Sequence, residues 1–421
     1  MKKELVIITN ACYPIYSATG ALAIQAAKYL NDEYHVRVIA LQDGKNKVWG
    51  TSPEGIELYT ISQWRYRLNQ IAAKKSKNST GIKSKVYKSV YWMTRILGKL
   101  QSIFFVLDNQ WWYTNKAYRV LNQLNADKKI DAVLSVSAPV EAHFAARRFK
   151  KKNPHIHWCS YWGDLFSGKN FKQNIFVSQK CMEEIENKLI QVSDYVLATE
   201  EVYEVYRKRN LKIQGMNYVP YILNEELLQH KHEHVERNDG KVIFTCMGSL
   251  NKMMRNPTYM LDVFSNLPDN YILNLYTGGC EKMVQEYAKK KPNNIRVHGR
   301  VPYLMLVDNM MKSDVLINIG NAFASSVPSK VMELMSCRKP ILDFFYPGQR
   351  MDLLDHYPVV LRVEMGEGVE AATSRIKEFA NSVQGISVDY QTITKLFSKN
   401  MEQNACIIVN QALAVTSIGE E

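Results

Sequence analysis

The sequence predicts two successive α/β domains, each a doubly wound parallel sheet, and three observations carry that expectation. At 421 residues the chain exceeds what one ordinary core accommodates. Short apolar runs alternate with helix-compatible stretches, as in parallel sheets covered on both faces. A polar, charged stretch, "NEELLQHKHEHVERNDG", interrupts this alternation once, near the middle.

In the first half the strands are read at "LVIITN", "VRVIAL", "AVLSVS", "IHWCSY" and "YVLATE". In the second they are read at "KVIFTCMG", "YILNLYTGG", "IRVHGRV", "DVLINIG", "PILDFF" and "VVLRV". The expected boundaries are a first domain over 1–220, a linker over 221–240, a second domain over 241–385, and a C-terminal helical segment over 386–421 that packs back across the domains. Ligands of such sheets are expected at the strand C-termini.

Apolar content of 46% and charged content of 23% are those of a globular protein rather than a disordered one. Seven scattered cysteines without a C-x-x-C pair argue against a disulfide framework or a zinc site and suit a reducing compartment. The apolar run in "MKKELVIITN" is too short for a signal peptide and reads as a strand. No stretch reaches the ~18–20 apolar residues of a membrane span. A cytoplasmic protein is expected.

The net charge of +13 is unevenly spread. Residues 58–107 hold ten Lys and Arg and no Asp or Glu, interleaved with Trp64, Tyr66, Tyr87, Tyr91 and Trp92. Cations attract anionic headgroups and aromatics favour the interface, so contact with an anionic membrane surface is one reading. A nucleic-acid surface and a plain solvated basic face are the others. Partial disorder is expected around "KKSKNSTGIKSK".

Two stretches carry the chemistry. "CMGSLNKMMRNPTYML" places Gly248 and Ser249 at a strand end, with Arg255 and Asn256 before a helix headed by Pro257. Free N–H groups at such a turn favour an anion, and arginine adds a planar fork suited to phosphate. The alternative is an ordinary turn with a surface arginine. "SSVPSKVMELMSCRKPIL" repeats the arrangement after "DVLINIG": Ser329 as a cap, Lys330 near a phosphate oxygen, and Glu333 with two acceptor oxygens for ribose hydroxyls. A glutamate favoured by the helix dipole is the bland alternative.

These pieces, with "LYTGG" and "VHGRVPYLMLVDNMMKSDVLINIGN", resemble the donor domain of GT-B glycosyltransferases, in particular family-4-like enzymes of bacterial surface polysaccharide synthesis. The first half resembles them more loosely through "ITNACYPIYSATGALAIQAAKYL", "SVSAPVEAHFAARRF" and "WCSYWGDLF". The resemblance implies two facing Rossmann-like domains, a nucleotide-sugar donor on the second, and a saccharide or lipid-linked acceptor on the first. It places Glu333 on the ribose, Arg255 and Lys330 on the diphosphate, and Gly299, Arg300 and Val301 beside the base. Gly20 falls near the donor phosphates or acceptor, and Gly248, Ser249, Asn256, Ser325, Pro328 and Ser329 complete the donor-binding set. It further implies retention of anomeric configuration. Two departures stand out: Ser325 occupies the place of a second, sugar-side glutamate, and Ser249 that of a basic residue.

No cofactor or metal is expected, since cations and N–H groups can take up the leaving-group charge and no Asp-x-Asp occurs. His143 and Asp164 are candidate catalytic residues because each follows a first-domain strand; a helix-face histidine is the alternative for His143, while a carboxylate at Asp164 can orient an acceptor hydroxyl. His230, His232 and His234 of "HKHEH" read as solvated, His155 and His157 as packing residues. "TGG" at 277–279 is not a dinucleotide fingerprint, and there is no P-loop. The rival functions are a sugar-nucleotide epimerase of the same fold and a non-catalytic basic protein that binds lipid or nucleic acid; no nucleic-acid partner is expected on the preferred reading.

Overall fold

A computed structural model describes residues 2–12, 17–42, 49–52, 55–62, 64–104, 111–137, 139–168, 177–230, 239–322, 330–349 and 351–414. The chain divides into two compact units, residues 1–220 with 406–421, and residues 221–405.

The strands of the first unit are β1 (Lys3–Thr9), β2 (Tyr34–Gln42), β3 (Trp49–Thr51), β4 (Glu57–Ser62), β5 (Ala132–Ser137), β6 (His157–Trp162), β7 (Tyr195–Ala198) and β8 (Met216–Tyr218). They form one sheet in the order β3-β4-β2-β1-β5-β6-β7-β8, parallel except for the β3–β4 pair. β1 and β5 are buried along nearly their whole length on both faces, which is why they read as continuous apolar runs. Val6, Ile8, Val133, Phe149, Trp158 and Trp162 are central to the core.

The second unit holds β9 (Val242–Ser249), β10 (Tyr271–Gly278), β11 (Ile295–Val297), β12 (Val315–Ile319), β13 (Ile341–Phe345) and β14 (Val360–Glu364). Their order, β11-β10-β9-β12-β13-β14, is all parallel and is that of a Rossmann sheet. It reverses between β9 and β12, so the crevice outside the C-terminal ends of these two strands is where such a sheet binds ligands.

Several features differ from expectation. β3, β4 and β8 were not read as strands; β3 and β8 are three residues each and lie at the sheet edges. The segment expected to be partly disordered forms a helical hairpin, Trp64–Lys77 and Gly81–Phe104. Asn69 Nδ2 fastens it, donating to the Tyr91 carbonyl (3.2 Å) and to Thr94 Oγ1 (2.7 Å). The expected linker 221–240 is in its first half part of the second unit. Asn224 Oδ1 caps the short helix Glu225–Leu228 by accepting from Leu227 N at 3.0 Å, and Leu223, Leu227 and Leu228 are buried. His232 and His234 lie outside the described residues.

The C-terminal segment is not one helix. Tyr390–Leu396 belongs to the second unit, where Ile393 and Phe397 are buried. The end of the helix Glu402–Ala414 belongs to the first, through His157 Nε2 with the Ala412 carbonyl (2.8 Å) and Asn410 Nδ2 donating to Glu33 Oε1 (2.8 Å).

Candidate active site

Gly248, at the end of β9, has a φ of +103°, a conformation that L side chains rarely adopt. A Cβ built on it would lie 3.9 Å from both Arg255 Nη1 and Lys330 Cγ, so the two cations flank one bare stretch of backbone. They also line one pocket together with Cys246, Ser249, Leu250 and Leu334.

Arg255 is held from two sides. Its backbone pairs with Asn251 in both directions, N–H to carbonyl at 2.8 Å and 3.0 Å. Its Nε donates to Asn321 Oδ1 at 2.6 Å. Burial lowers the guanidinium pKa from its ordinary value, yet arginine stays a cation at neutral pH. Beside it, the Asn256 N–H donates to Tyr346 Oη (3.0 Å), and Asn256 Oδ1 accepts from the N–H and hydroxyl of Thr258. That carbonyl oxygen therefore fixes the start of the Thr258–Ser265 helix.

Lys330 opens the helix Lys330–Ser336 and pairs with Glu333 Oε1 at 2.6 Å. The other carboxylate oxygen, Oε2, is buried without a hydrogen-bond partner among the described residues. Such a group costs about 1–3 kcal/mol unless a ligand or water satisfies it. Ser325, Pro328 and Ser329 lie outside the described residues.

On the other flank, Gly299 (φ +71°), Arg300 and Val301 connect β11 to the helix Tyr303–Met311. Arg300 crosses the end of β10 over Gly278, where a Cβ would meet its Nε at 2.4 Å, and its Nη2 donates to Ser249 Oγ at 3.5 Å. The position that lacks a cation in sequence is thus reached by one from another loop. His298 stacks on Tyr276 with centroids 4.4 Å apart and planes 9° from parallel.

In the first unit the structure corrects the expectation for His143 and refines the place of Gly20. His143 is fully buried, its ring 4.1 Å from that of Trp162 and its Nδ1 2.7 Å from the Ser135 hydroxyl, which accepts from Trp158 Nε1. Burial pushes its imidazole down to about 3. A neutral ring sealed in the core meets no saccharide, so His143 is a packing residue. Gly20 lies within the first turn of the helix Ala18–Leu30, not in the preceding loop. A Cβ there would stand 1.9 Å from the Ala11 carbonyl oxygen, so close packing accounts for the glycine.

Asp164 follows β6 and keeps an exposed edge, while the protein around it raises its carboxyl pKa by desolvation. Its loop rests on a carboxylate that sequence reasoning missed. Glu186, fully buried, accepts from the Phe166 N–H (2.6 Å), Ser167 Oγ (2.7 Å), Tyr206 Oη (3.0 Å) and Arg209 Nη1 (2.7 Å). Its helix pattern alone gives no sign of this; only a glutamate at a core-facing position beside Met182, Leu189 and Ile190 could have pointed to it. Asn321 was also missed.

Two Rossmann-like units with these strand orders make the GT-B fold. Sucrose-phosphate synthase from Thermosynechococcus elongatus shares it, at 11% identity over 97% of this chain and 98% of that one, with a TM-score of 0.67. So does Anabaena HepE, solved with UDP and glucose, at 11% identity over 98% and 99% and a TM-score of 0.63. A lipopolysaccharide outer core galactosyltransferase is similar at 12% identity over 97% and 99%, with a TM-score of 0.58. At these identities the likeness is one of fold. No protein-family model matches the sequence, and no curated protein does.

Proposed function

We propose that the protein is a glycosyltransferase that moves a sugar from a nucleotide-sugar donor to a saccharide or lipid-linked acceptor. The reaction retains anomeric configuration, needs no metal, and serves cell-surface polysaccharide synthesis at an anionic membrane surface. One observation carries the reading: Arg255 and Lys330 flank the bare backbone of Gly248 at the strand-order reversal, and Glu333 beside them has an acceptor oxygen without a partner among the described residues. The UDP and glucose bound by Anabaena HepE, and the galactosyltransferase of similar fold, agree with a nucleotide-sugar donor and a surface glycan.

In this mechanism Arg255 and Lys330 bind the diphosphate, Arg300 adds a third cation by way of Ser249, and Glu333 accepts the ribose hydroxyls. Breaking the sugar–phosphate bond builds negative charge on the diphosphate, and cations already in place stabilise it without reorganising. Gly248, Gly299 and Val301 offer backbone to the nucleotide, and Asp164 orients the acceptor hydroxyl.

A thermal-shift screen across nucleoside diphosphates and their sugars tests the donor site, because a ligand of the native state alone raises the melting temperature. Stabilisation by at least one nucleoside diphosphate, abolished in Glu333→Ala, is expected. No response to any of them removes the reading. The anomeric configuration of the product, read by NMR, tests retention.

A further inference from the structure

The helix Gly81–Phe104, 24 residues long, meets its hairpin partner through one side. Tyr91 and Thr94 take the Asn69 amide, and Gly98 lies where a Cβ would come within 3.0 Å of Arg65 Nη1. These positions recur at three- and four-residue steps and so define one face.

The opposite face is apolar and open. Ile82 is 81% exposed, Val86 54%, Met93 52%, Ile96 55% and Leu100 46%, with Trp92 at 59% along its edge. Positions 82, 86, 93, 96 and 100 again follow helical spacing and share one side of the helix, with the exposed Ser89 between Val86 and Met93. A surface helix ordinarily turns its polar side outward; a contiguous exposed apolar stripe marks a surface that binds something.

Charge selects the occupant. Lys83, Lys85, Lys88 and Arg95 lie on the same helix, and the surrounding segment 58–107 has ten cations and no carboxylate. A second copy docking through this face would bring two such clusters together, which repel. Nucleic acid would use the cations but has no complement to a stripe of Ile, Val, Met and Leu. A bilayer with anionic headgroups satisfies both, since apolar side chains enter the acyl boundary, lysine and arginine reach phosphates, and tryptophan favours the interface.

We propose that the helix Gly81–Phe104 lies in the plane of an anionic bilayer, its Ile82–Leu100 stripe inserted and its cations against the headgroup phosphates. This rests on the membrane-surface part of the proposed function and assigns the element that meets the lipid. The helix does not cross the membrane; among the described residues no helix is long and apolar enough to do so.

Flotation of the full chain with vesicles tests this. Phosphatidylcholine vesicles with phosphatidylglycerol are expected to carry the protein, and phosphatidylcholine alone to leave it behind. Ile96→Glu with Leu100→Glu, and separately Lys85→Glu with Lys88→Glu, should each weaken flotation about tenfold or more. Since these side chains are exposed, melting temperatures should hold.

Undiminished flotation of both variants overturns the proposal. So does equal binding to both vesicle types, a wild-type dimer that the Ile96→Glu, Leu100→Glu variant splits, or binding of nucleic acid without lipid. Nucleoside diphosphate binding separates the two readings. Flotation without nucleotide binding removes the transferase and leaves the docking helix; nucleotide binding without flotation does the reverse.

Discussion

Arg255 Nε and Asn321 Oδ1 stand 2.6 Å apart, and that hydrogen bond ties the loop after β9 to the loop after β12. These are the two strands between which the sheet order reverses. The bond uses Nε, so among the described residues no hydrogen bond is recorded at the terminal nitrogens of the fork, which suit an anion. Arg255→Ala should therefore weaken nucleoside diphosphate binding about 10- to 100-fold. Arg255→Lys should restore little of it, because an ammonium cannot hold the tether and present a fork together. Asn321→Ala should cost about three- to tenfold by releasing the guanidinium. Titration calorimetry with UDP and other nucleoside diphosphates measures all three. Unchanged affinity in Arg255→Ala would remove this arginine from the site.

Arg300 and Ser249 provide a sharper comparison. If Arg300 serves the phosphates by crossing Gly278 to Ser249, Arg300→Gln should weaken a nucleoside diphosphate about tenfold. The corresponding monophosphate, one charge-bearing group shorter, should change much less. Adding Ser249→Arg to Arg300→Gln should recover the diphosphate, since a cation then arises from the strand end itself. Equal losses for both nucleotides would mean that Arg300 acts on the base side through its backbone neighbours.

What could be read from sequence was what burial writes into it. Strands such as β1 and β5, covered on both faces, appear as unbroken apolar runs. β8 is only three half-buried residues and β4 falls at the start of the basic segment, so neither stood out. The Lys- and Ser-rich tract around 74–85 mimics a disordered one, yet the Asn69–Thr94 hydrogen bond holds it in a hairpin. The resemblance puts Gly20 near the donor phosphates or acceptor, whereas its contact with the Ala11 carbonyl is invisible in one dimension. Arg255, Lys330 and Glu333 were legible because their charges lie near turn signals. Asn321 carries no such mark, since its part depends on an arginine 66 residues away.

Glu186 offers a stability test in the first unit. Its buried carboxylate gathers four donors, with Arg209 the only cation among them. Removing one partner of a buried ion pair typically costs about 3–5 kcal/mol. Glu186→Ala should lower the urea midpoint of the first unit by that equivalent, and Glu186→Gln by less, because the amide oxygen can still accept from the Phe166 N–H. Glu333→Ala, on a half-exposed site in the other unit, serves as the comparison and should leave that midpoint in place. An unmoved midpoint in Glu186→Ala would show that the Asp164 loop does not depend on this carboxylate.

His143 makes folding depend on pH in a direction that can be worked out. Burial depresses its pKa to about 3 in the folded chain, against about 6.5 when unfolded. Between these values the unfolded state holds a proton that the folded state refuses. Stability from this residue is therefore complete above about pH 6.5 and is lost as pH falls toward 3, by up to about 1.4 kcal/mol per pH unit. A variant without a titrating ring, His143→Gln, should flatten the dependence of unfolding free energy on pH between about 4 and 6 by roughly that slope, whatever it does to stability at neutral pH. Urea unfolding followed at several pH values in this window supplies the comparison. Parallel curves for wild type and His143→Gln would mean that the imidazole is protonated in the folded chain, and that the contacts with Ser135 and Trp162 do not seal it from solvent.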